Sequence, residues 1–535
     1  MLLYDMLKNF VNKDGKDRAL LYMGKSFSYV ELFAGIDDAA RRLAPLVKPG
    51  EVATICMPNT PECVYCFYAL NKIGAIAHMV HPLAPLNQLK KFMTAAKSKL
   101  LITLSINLEK YAPITDAFPV VYVHPARSLG GVMRFAFDLT NKPYKGDKSG
   151  MTAFDALERG TVPEVSRDGS TTGVYLHSGG TGGEPKIIEL SDDAVNALAA
   201  RGAEALETAD VKNKYMLAAL PMFHGFGLTM CIHAMLSYGG VSVLMPKFDP
   251  KTTVKLIKKN RMNFMIGVPN LFRALLKTKG FSGDALKNVS VAFVGGDCAP
   301  QDLLDEFNAR MESAGARGRL FEGYGLTETV TVCAVNNYSH NRKGSMGYML
   351  SDLGAVIVEP ESTKVLPPFE RGEIAVCGDT LMNGYLDNDG ENRKVFFELD
   401  GKRYVRTGDF GYMDGDGFLY FVQRLKRIIK ISGISVYPKE IEASALELDG
   451  VTGSCAVEYK DGGKTRIALF LTGKPQEEGA VRKKIESDLS RYAVPTIVRT
   501  IDAIPVTAVM KADTMALSAL AKRIAEESKA AGTGV

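Results

Sequence analysis

Short apolar runs alternate with stretches of helical period along most of the first ~420 residues. "VATICM" (52–57), "KLLITL" (99–104) and "VVYVH" (120–124) read as strands. "VSVLMP" (241–246), "FMIGVP" (264–269) and "VSVAFVGG" (289–296) read the same way. "TPECVYCFYALNKIGA" (60–75) and "KTTVKLIKKN" read as helices between them. This alternation predicts an α/β architecture with parallel sheets. The segment 125–170, with many Gly, Lys and Asp, reads as loop-rich.

The pattern changes after about residue 386. Asp-Gly recurs at 389–390, 400–401, 414–415 and 416–417 and punctuates short strands. Beyond it, "YPKEIEASALELDG" and "EEGAVRKKIESDLSRY" read as helices, and "SCAVEY", "RIALFL" and "TIVRTI" as strands. The prediction is a small α+β unit of about a hundred residues. It follows a large N-terminal domain, 1–424, and fills 425–535.

Composition narrows the class only a little. Of 535 residues, 46% are hydrophobic and 23% charged, with a net charge of +5 from 65 basic and 60 acidic side chains. That excess is too small to argue for nucleic acid. No apolar run reaches ~18 residues, so no transmembrane helix is expected, and peripheral membrane contact stays open. The N-terminus lacks the features of a signal peptide. Of eight cysteines, only Cys63 and Cys66 stand close together. Without a second ligand pair they read as small apolar residues on a buried helix, in a reducing, cytoplasmic setting.

The chemistry concentrates in "SGGTGGEPK" (178–186). A P-loop would need a second glycine before its lysine, a Ser or Thr after it, and a helix at once. Here Pro185 precedes Lys186, Ile187 follows, and "KIIEL" is β-like. The loop therefore joins two strands, "GVYLH" and "KIIEL", with a helix only after Ser191. Backbone N–H groups of the glycines, the hydroxyls of Ser178 and Thr181, and Lys186 can grip phosphate oxygens. An ordinary glycine-rich hairpin with a surface lysine is the alternative.

With this loop the chain resembles the adenylate-forming enzymes, the superfamily of acyl- and aryl-CoA synthetases, adenylation domains and luciferases. Four further motifs follow in that family's order: "GYGLTET" (323–329), "YVRTGDFGYMDGDGFLYF" (404–421), "QRLKRIIKISGISVYPKEIE" (423–442) and "IPVTAVMKAD" (504–513). The likeness spans about Ser28 to Leu517. It implies a pyrophosphate grip from Ser178, Gly179, Gly180, Thr181, Gly182, Gly183 and Lys186. It implies an adenine wall at Tyr324 and Gly325, and an α-phosphate contact from Thr327. Mg²⁺ would lie on Glu328 with Thr181. Asp409 and Arg424 would hold the ribose, since an ionised carboxylate accepts two hydroxyl donors at once.

The same resemblance makes Lys426 a hinge and Lys511 the adenylation lysine. Lys430 and Gly433 would lie along the path of coenzyme A. "VGGDCAP" (294–300) would set Gly295, Gly296 and Asp297 beside adenine and the acyl chain. "LPMFHGFGL" (220–228) would set His224 near the acid. The sequence departs from the family at Gly182, where a hydroxyl residue is common, and at Ile187, Gln423 and Met510, where glycine is.

The activity implied is that of an ATP-, Mg²⁺- and coenzyme A-dependent acid–CoA ligase. A carboxylic acid attacks the α-phosphorus of ATP and pyrophosphate leaves. The acyl-adenylate then passes to the thiol of coenzyme A, and a medium- or long-chain fatty acid is the expected substrate. An enzyme loading a separate carrier protein and a catalytically degenerate nucleotide-binding relative are the alternatives.

Overall fold

The computed structural model describes residues 1–10, 16–178, 185–208, 210–431, 434–506 and 512–530. Two large sheets dominate the N-terminal part. One orders its strands Gly384–Tyr385, Ile187–Ser191, Thr172–His177, Ile76–Met79, Val52–Cys56, Leu101–Leu104, Val120–Val123 and Met151–Ala153. From Thr172–His177 to Met151–Ala153 its neighbours run parallel. The other is parallel from Arg18–Tyr22 through Val241–Leu244, Tyr215–Ala218, Phe264–Gly267 and Val291–Val294 to Arg319–Tyr324. The alternating pattern of the sequence is thus an α/β fold. Its central strands read as continuous apolar runs because both faces are covered. One apolar core joins the two sheets.

Helix Pro61–Lys72 shows why such runs cannot show a period. Thr60 caps it through Cys63 N–H, Pro61 opens it, and every residue to Asn71 is buried. Cys63 and Cys66 lie inside it, and burial pushes the Cys66 thiol up to about 12. They are packing residues.

The second sheet reverses at strand Tyr215–Ala218: the next strand in sequence, Val241–Leu244, lies on one side and Phe264–Gly267 on the other. Crevices outside the carboxyl ends of parallel strands at such a switch point bind ligands. The chain leaves there as "LPMFHG". Buried Asn59 holds this exit, donating to the carbonyls of Ala218 and Leu220 at 3.0 and 2.8 Å and accepting from Met222 N–H at 2.9 Å.

Beyond residue 350 a five-stranded antiparallel sheet includes the long strand Lys402–Met413. The Asp-Gly punctuation predicted only short strands. Asp400–Gly401 turns the chain into this strand and Gly408 bends it at positive φ, so it runs twelve residues. Helices Pro438–Leu446, Glu478–Asp488 and Thr514–Ala530 and strands Val451–Asp461, Lys464–Gly473 and Ile497–Thr500 build the α+β unit.

The segment 125–170 is mostly loop, as its composition suggests, with two regular elements set in it. It holds a ten-residue helix, Gly131–Thr140, and the edge strand Met151–Ala153. The helix buries no residue, and glycines at its start mask its period. No helix among the described residues is long and apolar enough to cross a membrane.

Candidate active site

The glycine loop joins two strands, as its exit suggested. Thr172–His177 and Ile187–Ser191 pair antiparallel, and the next helix, Asp192–Ala200, starts only after Ser191, whose hydroxyl caps it. Ser178 and Lys186 close the mouth: Ser178 N–H donates to Lys186 O at 3.0 Å, and Lys186 N–H donates to Ser178 Oγ at 3.0 Å. Gly179, Gly180, Thr181, Gly182 and Gly183 lie outside the described residues, as do Gly433 and Lys511.

Lys186 is already placed among partners that the sequence did not reveal. Its ammonium pairs with Glu391 and lies 4.3 Å from the centre of the Tyr385 ring. Lys186, and then Lys394, hold the Glu391 carboxyl down at about 2. Tyr385 sits on the short strand that pairs with Ile187–Ser191. Its hydroxyl donates to Glu328 Oε1 at 2.8 Å. Burial, and then Glu328, raise its phenol. Two residues from distant parts of the chain thus tie the loop lysine to the carboxylate of "GYGLTET". No lysine or arginine pairs with Glu328 among the described residues, and its hard carboxylate oxygens would suit a cation such as Mg²⁺.

Tyr324 ends strand Arg319–Tyr324 and donates its hydroxyl to Asp409 Oδ2 at 2.7 Å. Burial, and then Asp409, raise its phenol well above the ordinary range. Arg424 stands opposite Asp409 across the antiparallel pair, its Nε 2.9 Å from Asp409 Oδ1. Asp409 is 1% exposed, while half of the Arg424 side chain is open to solvent. The three side chains expected at adenine and ribose therefore form one linked cluster.

The turn after Tyr324 is compressed. A Cβ on Gly325 would sit 1.6 Å from Thr331 O, so only glycine fits there. Thr327 and Glu328 occupy a single 3₁₀ turn, and Val330 takes φ +64°, a strained value for a β-branched residue. A Cβ on Gly225 would meet Val330 O at 1.9 Å, so the His224 loop packs directly on this turn. Gly295 meets the same strand, its would-be Cβ lying 3.0 Å from Gly323 O and 3.3 Å from the Phe226 ring. Gly296 takes φ +79°, and exposed Asp297 accepts from Cys298 N–H at 2.9 Å. Glu322 accepts from Ala299 N–H at 3.3 Å, and burial pushes its carboxyl up to about 7.

Behind the loop runs a histidine chain absent from the sequence reading. Ser98 donates to Leu100 O at 3.2 Å and so accepts from Thr54 at 2.8 Å. Thr54 then accepts from His78 Nδ1–H at 3.0 Å. That leaves the lone pair of His78 Nε2 to accept from His177 Nε2–H at 2.8 Å. Burial, and then His224, hold His177 down at about 3, and burial keeps His78 well below the usual range. Both rings are neutral props under the base of the loop. His224 itself is half-buried beside Phe223, with ring centres 4.8 Å apart.

Against Gly323 and Phe226 opens a cavity of about 90 Å³. Phe226, Met230 and Ala234 line it from a π-helical stretch, Phe226–Ala234, in which this spacing places them on one face. Ala203, Leu206 and Phe293 are among the other walls, and no charged side chain among the described residues lines it. Lys426 and Lys430 lie exposed farther along, in the 3₁₀ turn Leu425–Arg427 and the strand Ile429–Ile431.

Residues 7–386 match the family described as AMP-binding enzyme. The chain belongs to that family. Among its relatives, 4-coumarate–CoA ligase-like 9 of Oryza sativa subsp. japonica is 28% identical over 500 residues, covering 90% of this chain and 85% of its own. The long-chain-fatty-acid–CoA ligase of Bacillus subtilis (strain 168) is 30% identical over 358 residues, 66% of this chain and 62% of its own. ATP-bound MatB from Rhodopseudomonas palustris superposes with a TM-score of 0.84 at 22% identity, over 98% of this chain and 100% of that one. Such likeness fixes the fold of this AMP-binding enzyme, a large N-terminal domain with a smaller C-terminal one.

Proposed function

We propose that this AMP-binding enzyme is an AMP-forming acid–CoA ligase. The observation that carries this reading is one of position: Gly323 borders the apolar cavity, and the next residue, Tyr324, opens the polar cluster of Asp409, Arg424 and Glu328. An acid lying in the cavity would present its carboxylate to a triphosphate on that cluster. Relatives named as 4-coumarate–CoA and long-chain-fatty-acid–CoA ligases support the reaction class.

A carboxylate is already ionised near pH 7, so attack on the α-phosphorus needs no general base. The work is orientation and charge neutralisation. Asp409 and Arg424 hold the ribose hydroxyls, Tyr324 walls the base, and Thr327 holds the α-phosphate. Lys186 exchanges Glu391 for the departing pyrophosphate, and Lys511 approaches from the C-terminal unit. Glu328, with Thr181, would hold Mg²⁺, which supplies charge neutralisation on the phosphate oxygens. The carboxylate–phosphorus bond forms as the bond to pyrophosphate breaks. In the second step the thiol of coenzyme A adds to the acyl carbon, its proton passes to solvent, and AMP leaves. Rotation of residues 425–535 about Lys426 would withdraw Lys511 and open the path along Lys430 and Gly433 between the steps.

The cavity narrows the acid. Its volume equals the liquid share of about three waters, and a second carboxylate there would be buried without a partner. Its apolar lining suits an uncharged tail, aliphatic as in a medium-chain fatty acid or aromatic as in an arylalkenoic acid. The test is release of pyrophosphate and consumption of coenzyme A over a panel of acids. Release with both uncharged-tail classes, and none with short dicarboxylates, is expected. No release with any acid would refute the reading, and release without thioester formation would move the acceptor to a carrier protein.

A further inference from the structure

Among the described residues, Gly131–Thr140 is the helix that exposes more than one large apolar side chain. Val132 is 87%, Phe135 72% and Leu139 75% exposed. These residues stand at i, i+3 and i+7, and so form one stripe along the helix. On the opposite side, Phe137 makes an edge contact with the His124 ring, with centres 5.8 Å apart, and Asp138 lies 3.6 Å from His124 Nε2. The helix is thus seated through Phe137 and Asp138 and turns its apolar stripe outward. Isolated exposed leucines need no explanation, but a contiguous apolar stripe on one element marks a contact surface.

The charges around the stripe choose the partner. Arg134, Lys142, Lys145 and Lys148 are all exposed within 131–150. The two acids of the same stretch are engaged locally, Asp138 with His124 and Asp147 with Ser149 N–H at 2.8 Å. Apolar side chains presented among cations match the acyl and phosphate layers of an anionic bilayer. A second copy of the helix would instead bring these cations against one another. We propose that Gly131–Thr140 is an interfacial helix that seats the protein on an anionic lipid surface, Val132, Phe135 and Leu139 entering the acyl boundary and Arg134, Lys142, Lys145 and Lys148 meeting the headgroups.

The experiment is flotation of the full chain with vesicles of phosphatidylcholine alone or mixed equally with phosphatidylglycerol, paired with analytical ultracentrifugation. The wild type should float with the mixed vesicles, less with phosphatidylcholine alone, and progressively less as salt rises. The triple variant Val132→Ser/Phe135→Ser/Leu139→Ser should lose binding at least tenfold. It should keep its melting temperature and circular dichroism, because these side chains are largely exposed. Lys142→Gln, Lys145→Gln and Lys148→Gln should each weaken binding roughly fivefold. Wild-type protein that stays at the bottom of the gradient with mixed vesicles at low salt would overturn the proposal. So would a triple variant that floats like the wild type, or a wild-type dimer that the triple variant converts to monomer without any vesicle binding.

Discussion

The polar cluster and the apolar cavity meet at consecutive residues, Tyr324 and Gly323, yet they are built by opposite rules. In the cluster the side chains are paired: Tyr324 with Asp409, Asp409 with Arg424, Tyr385 with Glu328, Lys186 with Glu391. Geometry there is set by directional bonds, so one substitution disturbs a chain of neighbours. The cavity walls are alanine, glycine and aliphatic or aromatic faces from separate elements, held only by packing. There, volume alone decides what fits. In the proposed function the first region would carry the chemistry and the second would select the acid.

Four substitutions would break or sharpen that contrast. The largest effect is expected for Asp409→Ala, which strips Arg424 and the Tyr324 hydroxyl of a buried acceptor. The KM for ATP should rise on the order of a hundredfold while the KM for the acid hardly moves, since bonds to charged groups are worth roughly 1.5–3 kcal/mol each. Steady-state kinetics varying each substrate in turn would show it, and an equal rise in both would erase the distinction. Ala234→Phe should do the converse, lowering kcat/KM for the longest acids about tenfold or more and leaving the KM for ATP unchanged.

The next two concern pH. Glu322 has a folded-state carboxyl raised to about 7 by burial. The native state then binds more protons than the unfolded chain between about pH 4.3 and 7, so stability falls as pH rises through that window. Glu322→Gln should remove this slope, gaining on the order of 1 kcal/mol on the wild type at pH 8 and nothing at pH 4. Urea denaturation at the two pH values measures it. Glu391 behaves oppositely, because Lys186 and Lys394 depress its carboxyl to about 2. Its stabilisation is complete above about pH 4.3 and lost as pH falls toward 2. Both partners are about one-third exposed, so Glu391→Gln should cost less than about 1 kcal/mol at pH 7, by the same urea titration.

The sequence exposed these two regions unequally, for the same physical reason that they differ. Tyr324, Glu328 and Asp409 of the polar cluster fall within short strings, "GYGLTET" and "YVRTGDFGYMDGDGFLYF", whose likeness to a family is local. The strand–loop–strand reading of 172–191 also followed locally, from Pro185 and the β-like exit. Tyr385 reaches Glu328 across 57 residues and Glu391 reaches Lys186 across 205, and no local pattern marks either contact. The Thr54–His78–His177 chain depends on three strands pairing in parallel register. The cavity was least legible of all, because buried helices and strands both read as unbroken apolar runs. Helix Gly131–Thr140 was missed for the contrary reason, since it turns its apolar positions outward.

The central claim is that the carboxylate itself attacks the α-phosphorus at the Tyr324–Asp409–Arg424 cluster. Turnover of an apolar acid labelled with ¹⁸O in both carboxylate oxygens tests this without assuming which wall residue does what. The account predicts one ¹⁸O atom in the AMP released with each acyl-CoA and none in pyrophosphate. Unlabelled AMP, or label in the pyrophosphate, would contradict it.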